Sequence, residues 1–85
     1  MADILLVRSL EQFQKSDFEG CIQSGRKAIE IRPNFADAFN NICAAYNSLG
    51  KFDEALKAGQ EAIRLRPNFP LAQGNVEWAK RKLKK

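Results

Sequence analysis

Cysteine is the residue type here best suited to soft nucleophilic or metal chemistry, and it occurs twice, at Cys21 and Cys43. Their placement matches neither a zinc nor a thiol-redox spacing, and no histidine is present to complete a transition-metal set or act as the usual base. Two packed, reduced thiols are the expected outcome. The ten carboxylates fall mostly at helix starts or on expected outer faces, where solvated charge is the ordinary role. The glycines Gly20, Gly25, Gly50, Gly59 and Gly74 never cluster into a phosphate-binding loop. Catalysis needs a nucleophile with a base, two carboxylates in contrasting environments, or a metal in a pocket. None is visible, so the chain is expected to be non-enzymatic, without metal or cofactor.

The remaining chemistry is charge. The net charge of +4 suggests nucleic acid until it is located: Lys80, Arg81, Lys82, Lys84 and Lys85 carry +5, leaving −1 over the first 79 residues. Cations at the end of a final helix are favoured by its dipole and keep it soluble. Stacking platforms for single strands normally have several aromatic residues, whereas Trp78 stands alone near this tail, so no specific nucleic-acid partner is expected. No apolar run approaches the ~18 residues of a membrane span, and Met1 to Arg8 lacks a basic segment ahead of its apolar residues. A soluble, unsecreted, cytoplasmic protein is expected, one that folds, because its 45% hydrophobic content is ordinary for a globular domain.

What positions these side chains is a repeat. Shifting the sequence by 34 residues superposes Ala2-Asp3 on Ala36-Asp37, Phe18 on Phe52, Gly25 on Gly59, Ala28-Ile29 on Ala62-Ile63, and Arg32-Pro33-Asn34-Phe35 on Arg66-Pro67-Asn68-Phe69. Ten positions agree between residues 2–35 and 36–69, and residues 70–85 open a third unit that stops after one helix. Within each unit the apolar residues have helical spacing broken by turn chemistry at two places, so each is a helical hairpin. Ala38, Phe39, Ile42, Ala45, Tyr46 and Leu49 form one stripe, Gly50 ends that helix in a left-handed conformation, and Asp53-Glu54 suit the positive end of the next. Pro67 stops that helix and Pro70 opens the last one. Ser16 and Glu19 have the spacing of a capping box, which starts the second helix near Asp17. Ala72, Val76, Ala79 and Leu83 then form the stripe that packs the last helix onto the preceding hairpin. The expected helices are 3–15, 18–31, 36–48, 52–65 and 70–82, an all-α chain.

These residues resemble the tetratricopeptide repeat, a 34-residue hairpin with the pattern W-x2-L-G-x2-Y…A-x3-F…P. In the second unit Phe39 stands for the tryptophan, Ile42 for the leucine, Cys43 for the small glycine, Tyr46 for the tyrosine, Ala55 for the alanine and Pro67 for the proline. Asn41, Leu49-Gly50, Phe52, Asp53-Glu54 and Ala62-Ile63 add family-like features. The first unit matches through Phe18, Cys21, Ala28 and Pro33, but Arg8 and Gln12 occupy the leucine-like and tyrosine-like places, as a terminal capping repeat would allow. The resemblance implies a single domain, with repeats at 2–35 and 36–69 and a capping helix at 70–85. It further implies antiparallel hairpins stacked as a right-handed superhelix, the first helix of each lining a concave face that binds a protein or peptide.

Gly25 and Gly59 stand where the family usually has an aromatic residue. Glycine inside a helix costs about 1 kcal/mol against alanine, and the expectation is close approach by the next hairpin, with Phe35 and Phe69 filling the space. The expected concave face consists of Leu6, Leu10 and Phe13, then Asn40, Ala44 and Asn47, then Leu71 and Trp78: an apolar wall, an amide floor and an aromatic edge. Alternatively Leu6, Leu10 and Phe13 form a self-association seam, giving a homo-oligomer, or turn into the core. A family variant clamps a peptide's C-terminal carboxylate with basic and amide side chains. Asn41 matches its amide, but Leu6, Leu10, Leu71 and Asn75 replace the rest, so chaperone-tail recognition is not expected. The other functional class is an oligomerisation or targeting segment of a larger multidomain protein or enzyme.

Overall fold

Each hairpin reverses through one left-handed residue. Gly50 has φ +77°, and Ser16, at the equivalent place one repeat earlier, has φ +63°. In the computed structural model, which describes residues 1–84, both turns carry the same bonds. Asp17 N–H donates to Gln12 O at 2.8 Å and Ser16 N–H to Phe13 O at 2.9 Å; Lys51 N–H donates to Tyr46 O at 2.9 Å and Gly50 N–H to Asn47 O at 3.1 Å. These bonds satisfy carbonyls that a helix end leaves open. Glycine takes the left-handed conformation freely, whereas another L-residue is strained there by about 1–2 kcal/mol. Ser16→Gly should therefore stabilise the fold by about 0.5–1 kcal/mol, after allowing for the greater freedom of glycine in the unfolded chain. The check is a rise in urea midpoint at unchanged slope, and a lower midpoint would contradict it.

Ser16 is thus occupied with the reversal, which corrects the capping-box expectation. Asp17 is the N-cap, its Oδ1 accepting the Gly20 N–H at 3.0 Å.

Among the described residues there are five helices: α1 Ala2–Gln14, α2 Phe18–Ile31, α3 Ala36–Ser48, α4 Phe52–Leu65 and α5 Pro70–Leu83. The ranges read from the sequence agree with these bounds, with shifts of a single residue in α1 and α5. Lys85, counted in the basic tail and at the end of the capping segment, lies outside the described residues. The hairpins are α1–α2 and α3–α4, with α5 packed on α4 and α3. Helix α3 touches all four others, and α1, α3 and α5 form a row in contact, whereas α2 and α4 do not meet. The row side is therefore closely packed, and the opposite side is left with a channel.

The central core joins Cys21, Ile22, Ile42, Cys43, Ala45, Tyr46, Ala55 and Ala79. Two smaller clusters centre on aromatic residues: Phe35 among Ala2, Leu5, Ala28 and Ala38, and Phe69 among Ala36, Ala62 and Ala72. The repeated arginines and aspartates clasp the open ends of the hairpins. Arg32 reaches Asp3 at 3.3 Å and stacks its guanidinium 4.4 Å from the Phe35 ring centre. Arg66 makes two bonds to Asp37, at 3.0 and 3.1 Å, and lies 4.4 Å over Phe69.

Gly25 and Gly59 are closely approached, as expected, but by different residues from those expected. A Cβ on Gly25 would lie 2.7 Å from Ile42 Cγ1, and one on Gly59 would collide with Val76 Cγ2 and lie 2.9 Å from Cys43 Sγ. Phe35 and Phe69 lie instead in the end clusters, because each sits in the link to the next helix, beyond the reach of these crossings.

Candidate functional site

Both cysteines are fully buried free thiols at helix crossings. Ser9 Oγ, also buried, donates to Cys21 O at 2.9 Å and lies 3.2 Å from Cys21 Sγ, while Cys21 Sγ points to Asn41 O at 3.6 Å. Burial raises the Cys21 pKa, partly countered by the Ser9 hydrogen bond, and pushes that of Cys43 up to about 11. A thiol held protonated at neutral pH is a weak nucleophile and a poor metal ligand, so these are packing groups.

The row of α1, α3 and α5 presents the residues singled out as a groove. Leu10, Ala44 and Trp78 occupy the same repeat position on successive helices. Leu10 and Trp78 are nearly half exposed, at 46% and 45%, and Ala44 between them is partly buried. Lys82 Nζ sits 4.6 Å over the Trp78 ring. Phe13 packs edge-on against Phe18, with ring centres 5.4 Å apart, and keeps part of its surface open. A concavity of about 300 Å³ is lined by Phe13, Ala44, Asn47, Ser48, Asn75 and Trp78. Four of the eight expected groove residues line this hollow.

The others fall differently. Leu6 is partly buried against the Phe35 cluster, Leu10 stands beside the hollow in the same row, and Leu71 is exposed near the start of α5, outside the lining. Asn40 turns inward: it is buried, and its Oδ1 accepts from Asn75 Nδ2 at 2.8 Å. Asn47 Nδ2 donates to the Asn75 carbonyl at 3.0 Å, leaving Asn47 Oδ1 buried without a partner. The amide floor is therefore largely spent on holding α5 against α3, a correction to the picture of amides free to meet a ligand backbone. Ser48 was missed. Asn75 is not among the residues expected in the groove, although it precedes Trp78 by three residues and so shares its face.

An array of stacked helical hairpins with an aromatic-edged groove across its first helices defines a helical-repeat protein. Residues 36–69 match the tetratricopeptide repeat family model. The whole chain is also similar to the TPR2B-domain:pHsp70 complex of yeast Sti1, with a TM-score of 0.94 and 29% identity over 98% of this chain. It spans 66% of that structure's chain. No curated protein matches. The chain thus carries a tetratricopeptide repeat at residues 36–69 and has the fold of a tetratricopeptide repeat domain, two hairpins with a capping helix, an architecture of protein–protein interaction modules.

Proposed function

We propose that the chain is a non-catalytic module that holds a protein or peptide on the face formed by α1, α3 and α5. The hollow between Phe13 and Trp78 carries this reading, because it sets two aromatic walls on either side of the small Ala44 across α1, α3 and α5. The similarity to a domain in complex with pHsp70 supports a peptide as the occupant. Leu6, Leu10 and Leu71 provide no cations for a terminal carboxylate, so the ligand is anchored by apolar side chains, with Lys82 beside Trp78 favouring an acidic neighbour.

The test uses peptides selected against the 85-residue chain by display, measured calorimetrically and through the fluorescence of Trp78, the sole tryptophan. Leu10→Ala and Trp78→Ala should each weaken binding by about tenfold or more while changing stability by less than about 1 kcal/mol. Amidating the peptide C-terminus should leave affinity unchanged. Selected peptides that ignore both substitutions would sink the proposal, and a strong loss on amidation would restore a carboxylate clamp. A melting temperature that falls by several degrees on Leu10→Ala would assign that residue to the core.

A further inference from the structure

Two joints inside the molecule are built alike, and a third copy of the same face is bare. Where α2 meets α3, Gly25 packs on Ile42, while Cys21 and Ala45 share one buried cluster and Ala28 and Ala38 another. Where α4 meets α5, Gly59 packs on Val76, Ala55 and Ala79 share a cluster, and so do Ala62 and Ala72. The second helix of each hairpin thus runs antiparallel to the next first helix, in one register. Moved back 34 residues, the receiving positions Ala45, Ile42 and Ala38 become Glu11, Arg8 and Ile4 of α1. With Asp3 and Val7 these line a shallow depression of about 360 Å³. The receiving residues of α3 and α5 are buried, whereas Ile4 and Val7 are 60% and 56% exposed.

The register states what fits there. An antiparallel helix sets its residues i, i+4 and i+7 opposite Glu11, Arg8 and Ile4, so a fitting helix carries a basic, an acidic and an apolar residue in that order. Among the described residues the ion pairs Arg32–Asp3, Arg64–Glu61 and Arg66–Asp37 leave Arg8 and Glu11 out. Asp3, the remaining charge of the face, keeps Arg32, just as Asp37 keeps Arg66 while α2 is docked on α3. Within this chain the pattern occurs once, at Lys15, Glu19 and Ile22, and Ile22 is buried in the core. A second copy therefore cannot supply it. We propose that α1 docks a helix of another protein, antiparallel to α1 and carrying the pattern basic-x3-acidic-x2-apolar. Ile4 and Arg8 are longer than Ala38 and Ile42 at the matching places, so the incoming helix stands farther off than α2 does from α3 and needs no glycine at the crossing. Since α2 and α4 do not meet but bound a channel of about 460 Å³, the docked helix leaves a like gap beside α2.

The test uses the full chain and two lactam-bridged helical peptides on an alanine background, one with Lys, Glu and Leu at i, i+4 and i+7, the other with Lys and Glu exchanged. Titrations followed by amide nitrogen-15 shifts reach about 1 mM, because one helix pair buries less than the about 1,200 Å² of stable complexes. The first peptide should shift the amides of residues 4–11 and bind at least about fivefold more tightly than the second. Arg8→Glu combined with Glu11→Lys should reverse that preference. Ile4→Glu should remove binding of both peptides while the helical circular dichroism is retained, since all three sites are exposed. No binding of the first peptide at the highest concentration would overturn the proposal. So would equal affinities, a preference that survives the double change, or shifts confined to the groove around Trp78. Concentration-dependent sedimentation of the chain alone, abolished by Ile4→Glu, would give the face to a second copy and overturn it as well.

Discussion

Replacing Phe69 with alanine should cost about 3–5 kcal/mol, the range for deleting a buried phenylalanine that its surroundings cannot replace. The ring is almost wholly buried, and its apolar neighbours Ala36, Ala62 and Ala72 come from three different helices. The alanines have no longer rotamer with which to fill the space, and Phe39, Ile63 and Leu65, partly buried at its edge, fill it only in part. The change also removes the surface beneath the Arg66 guanidinium, which holds Asp37 at the start of α3. At about 0.05–0.15 kcal/mol per residue a chain of this length has roughly 4–13 kcal/mol in total, so a large fraction of its stability is at stake. Urea unfolding followed by far-ultraviolet circular dichroism gives the value. Phe35→Ala should cost a similar amount, because its cluster is built alike, with Leu5 at the place that Phe39 takes beside Phe69. A Phe69→Ala loss below about 1 kcal/mol would mean that the ring does not join these three helices.

Gly59→Ala should destabilise by about 1–2 kcal/mol although it improves helix propensity. Alanine contributes about 1 kcal/mol over glycine in a helix interior, and overpacking a filled crossing costs about 1–3 kcal/mol. The second effect prevails here because the new methyl is trapped between Val76 and Cys43 Sγ, and both neighbours are buried. Val76 is β-branched and has essentially one rotamer in a helix, so it cannot swing away. At Gly25 the obstacle is the equally stiff Ile42, but it stands farther off, with Cγ1 at 2.7 Å, and no second side chain closes the space, so the loss should be smaller. Gly74, in α5 with nothing within 4 Å of an added Cβ, supplies the control: Gly74→Ala should stabilise by about 1 kcal/mol. Combining Gly59→Ala with Val76→Ala should recover most of the overpacking cost in a double-mutant cycle. If Gly59→Ala behaves like Gly74→Ala, close packing is not the reason for the glycine.

The amino-acid sequence alone determined the helices and their pairing into hairpins, because these depend on local signals: the 34-residue identity, Gly50 at a reversal, Pro67 after a helix and Pro70 at the start of another. The same identity contained the clasps, since Asp3, Arg32 and Phe35 recur as Asp37, Arg66 and Phe69, but only coordinates show that they meet. Ser16 was misread because a capping-box spacing describes two side chains and says nothing of the backbone conformation demanded by the reversal. On α1 the apolar residues Ile4, Leu5, Leu6, Val7, Leu10 and Phe13 nearly encircle the helix, so periodicity cannot choose a face. Packing against α2 and α3 chose Leu5 for the core and left Ile4 and Val7 outside. Asn40 reads as a surface amide until α5 brings Asn75 against it. The α2–α4 channel has no sequence signal at all, because it is the space left where two helices, each well packed on α3, fail to reach each other.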